Sequence, residues 1–316
     1  MYIGVDVGGT NLVAGVVGKD GEILAKAKAK THGERGTEAV IDDIVRISHE
    51  ACANAGIAER DIISLGLGVP GAVDNEKGEV SFCANIPFTA VPLVRSIQEK
   101  WDKKVNLVND ADAAAFGEAH AGSAKGCFSM VLITLGTGIG GGIVMDGKLV
   151  SGFNYIGGEV GHIVIEHNGR QCNCGRRGCW ERYASATGLI ALTREEMELD
   201  KEKRGVLWRL APSLEEVGGR TAFIAAREGD AAGQAVVNLY LDYLACGLAN
   251  IINIFQPEVL CIGGGVSNEA DEYLLFPLRE LVKKATFRHP ERNTEIRIAS
   301  LGNDAGIIGA ALAGTP

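Results

Sequence analysis

The feature that most restricts the fold is an internal repeat. Residues 2–30 read YIGVDV, then Gly8-Gly9-Thr10-Asn11, then LVAGVVG, a Lys19-Asp20-Gly21-Glu22 turn and ILAKAKAK. Residues 128–150 read FSMVLITLGTGIGGGIVMDGKLV, with Gly136-Thr137-Gly138 at the place of Gly8-Gly9-Thr10 and Asp146-Gly147 at that of Asp20-Gly21. Short apolar runs bounded by glycine turns predict strands, and an Asp-Gly pair between two of them predicts a hairpin. Each copy is therefore strand, glycine turn, strand, hairpin, strand. Such a turn offers backbone N–H groups and a hydroxyl to an anion. Two of them facing each other across a cleft can hold the phosphates of one nucleotide from both sides. Asp6, in the first strand, is placed to hold a metal on that anion.

The rest of the chain alternates helix and strand signals. Val40, Ile41, Ile44, Val45 and Ile47 give helical spacing over 36–56, stopped by Gly56. Residues 62–69, IISLGLGV, predict a buried strand in which Gly66 and Gly68 indicate close backbone approach. A turn at 74–78, an irregular stretch over 82–91 containing Asn85, and a helix from about 92 to 100 follow. Strand 105–108 runs into Asn109-Asp110-Ala111-Asp112 and an Ala-rich helix to about 121. Ligands of open α/β sheets collect at such strand-to-helix junctions. An acid there can also cap the helix, so one of Asp110 and Asp112 can cap while the other works. After the second repeat, 183–192 reads as helix. The charged stretch 194–220 has no clear period and is expected to be a surface excursion or lid. A long helix runs from Gly229-Asp230 to Pro257. Residues 259–262 form a buried strand opening into Gly263-Gly264-Gly265, a third glycine turn suited to the nucleoside. A helix over 273–285, a strand over 295–300 and a small-residue helix over 304–313, ending at Gly314, close the pattern.

Between 159 and 181 the chain carries a second strong signal. His162, Cys172, Cys174 and Cys179 lie in a glycine- and arginine-rich loop, bracketed by Glu159 and Glu181. One imidazole and three thiolates form a closed tetrahedral zinc set. The competing readings are a disulfide knot and a group of buried thiols. Cys172 and Cys174 are too close in sequence for an unstrained bridge, and three cysteines leave one unpaired. Four protein ligands leave no open position for water, so the metal reads as structural. A metal takes one ring nitrogen of His162 and leaves the other for a ligand.

Length and composition set the frame. The chain has 316 residues, enough for about two domains. Its formal net charge of −9 argues against nucleic acid as a partner. Its 43 glycines fall in clusters, as turns and ligand loops do, rather than in low-complexity runs. No apolar run is expected to reach membrane-spanning length, and the first residues already read as strand rather than signal peptide. Cys52, Cys83, Cys127, Cys246 and Cys261 read as reduced core thiols of a cytoplasmic protein.

Together, DVGGTN at 6–11, NDADAAAFGE at 109–118, LGTGIGGG at 135–142, EVGH at 159–162, CNCGRRGCWE at 172–181 and IGGGVS at 262–267 resemble the ROK family of sugar kinases and repressors, most of all its glucose-phosphorylating members. The resemblance runs end to end. It implies a two-domain α/β fold of the ribonuclease-H-like, actin-like ATPase and sugar kinase kind, with the active site in the interdomain cleft. The domains would be 1–110 plus about 301–316, and 111–300. The implied activity is transfer of the γ-phosphoryl of ATP to the 6-hydroxyl of a hexose, glucose or else N-acetylmannosamine, N-acetylglucosamine or fructose. By the same likeness Asp110 matches the catalytic base. Asn85, Asn109, Asp110, Glu159, His162 and Glu181 match sugar contacts. Gly8, Gly9, Thr10, Asn11, Gly136, Thr137 and Gly138 match the phosphate loops, Gly263, Gly264 and Gly265 the nucleoside side, and Asp6 the partner of Mg²⁺. His162, Cys172, Cys174 and Cys179 match the structural Zn²⁺ ligands. The family also implies a homodimer or homotetramer. Its DNA-binding repressors carry a helix-turn-helix ahead of the first strand, and only five residues precede Asp6 here. A sugar-independent actin-like or chaperone-type ATPase is the other reading, and the zinc loop argues against it.

Overall fold

The computed structural model describes residues 1–83, 85–287 and 289–313. In chain order, strands β1 (Tyr2–Val7), β2 (Asn11–Val17) and β3 (Ile23–Lys30) precede helix α1 (Thr37–Ala55). Strand β4 (Ser64–Val69) leads into three short strands, β5 (Ala72–Asp74), β6 (Glu79–Phe82) and β7 (Thr89–Val91). Helix α2 (Leu93–Gln98), β8 (Lys104–Asn109) and α3 (Asp110–His120) come next, then the second repeat as β9 (Met130–Leu135), β10 (Ile139–Met145) and β11 (Lys148–Leu149). Helices α4 (Glu181–Ala184), α5 (Ala186–Leu199), α6 (Val206–Leu210), α7 (Thr221–Arg227) and α8 (Ala231–Phe255) follow. Strand β12 (Val259–Gly263), α9 (Leu275–Ala285), β13 (Glu295–Ile298) and α10 (Ala305–Leu312) complete the described chain. The helix end expected at Gly314 lies outside the described residues.

The chain divides into two compact units. One consists of Met1–Leu132, Gly142–Gly158 and the segment from Ala299 on; the other of Ile133–Gly141 and Glu159–Ile298. The first unit contains a five-stranded sheet in the order β3-β2-β1-β4-β8. Strand β1 is antiparallel to β2 and parallel to β4, and β4 is parallel to β8. Alternate residues of a strand face opposite sides, and the sequence uses the two sides differently. Ile3, Val5, Val7, Leu65, Leu67, Val69, Val105 and Leu107 share one core with Val40, Ile41 and Ile44 of α1. On the other side stand Gly4 and Gly66. A side chain at Gly4 would overlap the carbonyl of Ile307, and one at Gly66 the carbonyl of Ala310. Helix α10 therefore lies backbone-to-backbone on the sheet, as the glycines in SLGLGV implied. A side chain at Gly309 would in turn strike Ala113 of α3. Asp6 is on this same side of β1, two residues beyond Gly4.

The stretch expected to be irregular, 82–91, is irregular over 85–88, but its ends at Phe82 and Thr89–Val91 belong to a small antiparallel sheet, β5-β6-β7. Its strands have three or four residues each, too few to show a period of two in the sequence. A second five-stranded sheet has the order β11-β10-β9-β12-β13, and the boundary between the units runs through β9 and β10. At its hairpin Asp146 and Gly147 have φ of 53° and 69°, the left-handed pair that a two-residue turn between twisted strands requires.

The second unit is built on α8, which packs with α4, α5, α7 and α9. Asp230 caps it, its Oδ2 accepting the Gly233 N–H at 2.8 Å. Two sequence expectations are corrected here. By length and composition α8 is apolar enough to cross a membrane, with a mean hydropathy of 1.5 over its 18-residue window, and 61% of that window is buried. Its apolar residues Val236, Val237, Tyr240, Leu244, Leu248 and Ile251 are those of a core helix. The 194–220 stretch is not a surface excursion. Helix α5 extends through it to Leu199, and Leu207, Trp208, Ala211 and Val217 close a core with Met197 and Ala225. The Trp208 indole donates to the Met197 carbonyl at 3.0 Å. Of the scattered cysteines, Cys52, Cys83 and Cys261 are buried as expected, whereas Cys127 is half-buried and Cys246 is exposed on α8. Because Trp208 fills an integral core, Trp208→Ala should cost about 3–5 kcal/mol of stability. Denaturant unfolding that shifts by less than about 0.5 kcal/mol, the range for a solvated surface residue, would return this stretch to the role of a lid.

Candidate active site

In the first unit the glycine turn between β1 and β2 is closed by Gly8 N–H donating to the Asn11 carbonyl at 3.0 Å. The Thr31 hydroxyl donates to the Gly8 carbonyl at 2.5 Å, so that carbonyl is already engaged. Asp6, Gly8, Gly9, Thr10 and Asn11 line a cavity of about 870 Å³ with Lys26, Lys28, Asn303 and Asp304. Lys26 and Asp304 form an ion pair at 2.8 Å across it. These last four residues were not singled out in the sequence. Lys26 and Lys28 were visible only as the exposed side of an alternating strand, and Asn303 and Asp304 as the start of a helix. Asn85 sits against the turn: a Cβ on Gly9 would lie 2.9 Å from its own Cβ.

The junction of β8 and α3 assigns the cap to a third residue. Asn109 is the N-cap, its Oδ1 accepting the N–H groups of Ala111 at 2.9 Å and Asp112 at 3.3 Å. Its Nδ2 donates to the Gly71 carbonyl at 3.1 Å. Neither aspartate need cap. Asp112 is buried and accepts the Ser151 hydroxyl at 2.7 Å. The contacts of Asp110 are local: Ala111 N–H donates to Oδ1 at 2.9 Å, and its own backbone N–H and the Asn109 side chain also bond its carboxylate. Burial holds its carboxyl above the usual carboxylate range. Asp6 is pushed up to about 6, first by burial and then by the charge of Asp110. Two carboxylates thus share one poorly solvated region and resist ionising together.

In the second unit the sulfur and nitrogen atoms of His162, Cys172, Cys174 and Cys179 all lie within 4.8 Å of one another. Cys174 Sγ is 3.5 Å from Cys179 Sγ, and Cys172 Sγ is 3.7 Å from His162 Nδ1. Zn–S bonds near 2.3 Å and Zn–N bonds near 2.0–2.1 Å give tetrahedron edges of about 3.5–3.8 Å, so the donor set fits a zinc-sized ion. All three thiols are free. The loop closes by Cys172 N–H to Arg176 O at 2.8 Å and Gly175 N–H to Cys172 O at 3.1 Å. At Gly178, φ is 80° and a side chain would overlap the Glu166 carbonyl, so only glycine serves there. The Arg176 backbone N–H holds the Cys174 thiol down to about 6, favouring the thiolate that a metal needs.

Nδ1 of His162 faces the cysteines, and Nε2 lies 4.0 Å from Glu159. Glu181 Oε1 is 3.1 Å from Cys172 Sγ and 3.6 Å from His162 Nδ1. Its other oxygen packs against the 136–138 turn, 2.6 Å from where a Cβ on Gly138 would stand. Gly264, with φ of 88°, comes so close to the end of β9 that its Cβ would lie 2.5 Å from the Leu135 carbonyl. The turns 136–138 and 263–265 are therefore neighbours, and Glu181 joins them to the metal loop.

The Asp6 shift has a definite sign. An acid whose folded pKa lies above its unfolded one adds stability fully present below about 4 and lost as pH rises through about 6. In metal-free protein, Asp6→Asn should raise stability at pH 8 by about 1–3 kcal/mol and at pH 4 by much less. Thermal unfolding of both proteins at both pH values reads this, and equal shifts would show that Asp6 ionises without penalty.

Comparison with known proteins agrees with this geometry. The chain matches the ROK family over residues 2–314. It is 41% identical to a glucokinase of Thermotoga maritima over 310 residues, 98% of this chain and 95% of the relative. It is similar to the crystal structure of a ROK family glucokinase from Streptomyces griseus in complex with glucose and AMPPNP, with a TM-score of 0.78, 34% identity and coverage of 98% and 97%. It is also similar to a ROK hexokinase of Thermus thermophilus, with a TM-score of 0.82, 32% identity and coverage of 99% and 97%. A mixed α/β fold of the sugar-kinase, actin-like ATPase kind is held in common with these structures, and by the match over residues 2–314 and a relative 41% identical over nearly its whole length the chain belongs to the ROK family.

Proposed function

We propose that the protein phosphorylates glucose at the 6-hydroxyl with ATP. One observation supports this reading: in the second unit the loop with four candidate metal ligands holds Glu181 against the 136–138 glycine turn, while the Nε2 of His162 lies 4.0 Å from Glu159. The glucokinase relatives name the sugar and the phosphoryl donor. The sugar's hydroxyls are chemically alike, so recognition needs several fixed hydrogen bonds. Glu159, His162 and Glu181 supply acceptors and a ring nitrogen, and Asn85 and Asn109 are proposed as further sugar contacts. His162, Cys172, Cys174 and Cys179 would hold a structural Zn²⁺, which would fix the ring of His162. Kinases of N-acetylmannosamine, N-acetylglucosamine or fructose would use the same parts.

In phosphoryl transfer the protein's part is mainly positioning and charge stabilisation. Asp110 is the base that takes the proton of the attacking hydroxyl; its raised affinity for a proton suits that work. The turns at Gly8–Asn11 and Gly136–Gly138 would offer the phosphates their N–H groups other than those of Gly8 and Gly136, which bond within the turns, and Gly263–Gly265 would border the nucleoside. Asp6 is the residue that would partner a Mg²⁺, and that ion would offset phosphate charge. Such an enzyme works in the cytoplasm, where ATP and free hexose meet.

ADP formation from MgATP with a panel of hexoses tests the assignment, and glucose should give the highest kcat/KM. Turnover without sugar would favour an ATPase. Asp110→Asn should lower kcat by about 10²–10⁴ while calorimetry shows glucose binding within a few-fold of wild type; near wild-type turnover would remove Asp110 from the base role. Cys174→Ala should release the metal and weaken glucose binding about 10–100-fold. Undiminished affinity in metal-free protein would separate the loop from the sugar site.

A further inference from the structure

The short segment joining α4 to α5 is unclaimed by the reaction as described, yet it touches both of the second unit's working loops. Ala186 N–H donates to the Gly136 carbonyl at 2.9 Å, and the Thr187 hydroxyl donates to the Thr137 carbonyl at 2.7 Å. Those are the carbonyls of the phosphate turn itself. At the other end, the Ser185 hydroxyl is 2.6 Å from the carbonyl of Glu181 and 2.9 Å from the Thr187 hydroxyl. A continuous line of polar contacts therefore runs from Glu181 through Ser185 and Thr187 to Thr137. Ser185 is fully buried, whereas Thr187 is exposed. An exposed threonine has no packing reason to be held in one rotamer, but here its only proton is committed to a turn carbonyl.

The orientation of that carbonyl matters. A glycine-flanked peptide can rotate, and each rotation exchanges an outward N–H for an outward C=O. An outward N–H attracts phosphate and an outward carbonyl repels it. Gly136 and Gly138 flank Thr137 and impose no conformation, and a Cβ on Gly136 would meet nothing within 4 Å. Within the turn Gly136 N–H donates to the Gly138 carbonyl at 3.1 Å, a bond that does not engage the carbonyls of Gly136 and Thr137; the two bonds from Ala186 and Thr187 hold those. We infer that Thr187 is a positioning residue for nucleotide binding: its hydroxyl fixes the Thr137 carbonyl so that the 136–138 turn presents N–H groups, and with Ser185 it makes that turn and the Glu181 segment one rigid piece. The inference rests on the kinase reading given above and adds a residue that acts through the turn.

The test compares Thr187→Val, which keeps the shape and removes the hydroxyl, with Thr187→Ser, which keeps the hydroxyl. Binding of Mg²⁺ with the nonhydrolysable ATP analogue AMPPNP is measured by calorimetry, so the result does not depend on which sugar is phosphorylated. Loss of one oriented hydrogen bond, about 1 kcal/mol, corresponds to about a fivefold weaker Kd in the Val variant. The Ser variant should return to within about twofold of wild type. Bound metal per chain and the KM for glucose should stay within about twofold in both, which a general loosening of the fold would not allow. An unchanged nucleotide Kd in the Val variant overturns the inference, as does equal weakening by Ser and Val. Wild-type protein that binds the nucleotide but phosphorylates no hexose overturns the kinase reading while the Thr187 comparison still stands.

Discussion

The carbonyls of Ile307 and Ala310 occupy the space in which side chains at Gly4 and Gly66 would begin. That backbone-to-backbone seating of α10 on the sheet is the constraint on which the first unit depends. It requires glycine at the directly opposed positions 4 and 66 of two adjacent strands and small residues along the helix, and AGIIGAAL supplies the latter. It also fixes the height of α3, because Gly309 and Gly117 leave room only for bare backbone between the two helices. The N-terminus of α3 carries Asp110, and the strand face that receives α10 carries Asp6. Two carboxylates are thereby brought into mutual repulsion by packing that rests on glycines and backbone rather than on polar side chains.

The second unit reaches comparable rigidity by another route. Its loop between 159 and 181 has little regular structure beyond a single 3₁₀ turn and two isolated bridges. Four donor atoms set at tetrahedral spacing can replace the hydrogen-bond ladder that such a loop lacks. Behind it, Trp180 is wholly buried and donates to the Tyr243 carbonyl at 2.9 Å. A side chain at Gly247 would overlap the Trp180 ring, so α8 carries glycine where the loop needs a flat floor. Cys179 and Glu181 flank that tryptophan, and its anchoring fixes both at once.

Much of this was legible in the residues, for physical reasons that also explain what was not. The repeat showed because strand alternation, glycine turns and Asp-Gly hairpins each leave a local mark, and both copies carry all three. The tetrad showed because thiolates and imidazole at close spacing have few other uses. The sheet β5-β6-β7 did not show, since strands of three residues have no period. Trp208 and Leu207 were hidden among charges because their helix is five residues long, less than two turns. Asn109 was taken for a ligand alone, when a side chain with both donor and acceptor can cap a helix and brace a neighbouring strand at the same time. Exposure of Cys246 is set by which face of α8 meets its neighbours, a tertiary fact.

The unusual apolarity of α8 bears on how the chain comes off the ribosome. A helix that meets the length and composition of a membrane span is a hazard for as long as it stays uncovered. Three of the helices that cover it, α4, α5 and α7, precede it in the sequence, and only α9 among its main helical partners follows. When residue 255 is synthesised, most of the surface that shields α8 already exists. The order of elements along the chain thus lets the most apolar helix fold into a waiting groove, before β12 and β13 complete their sheet.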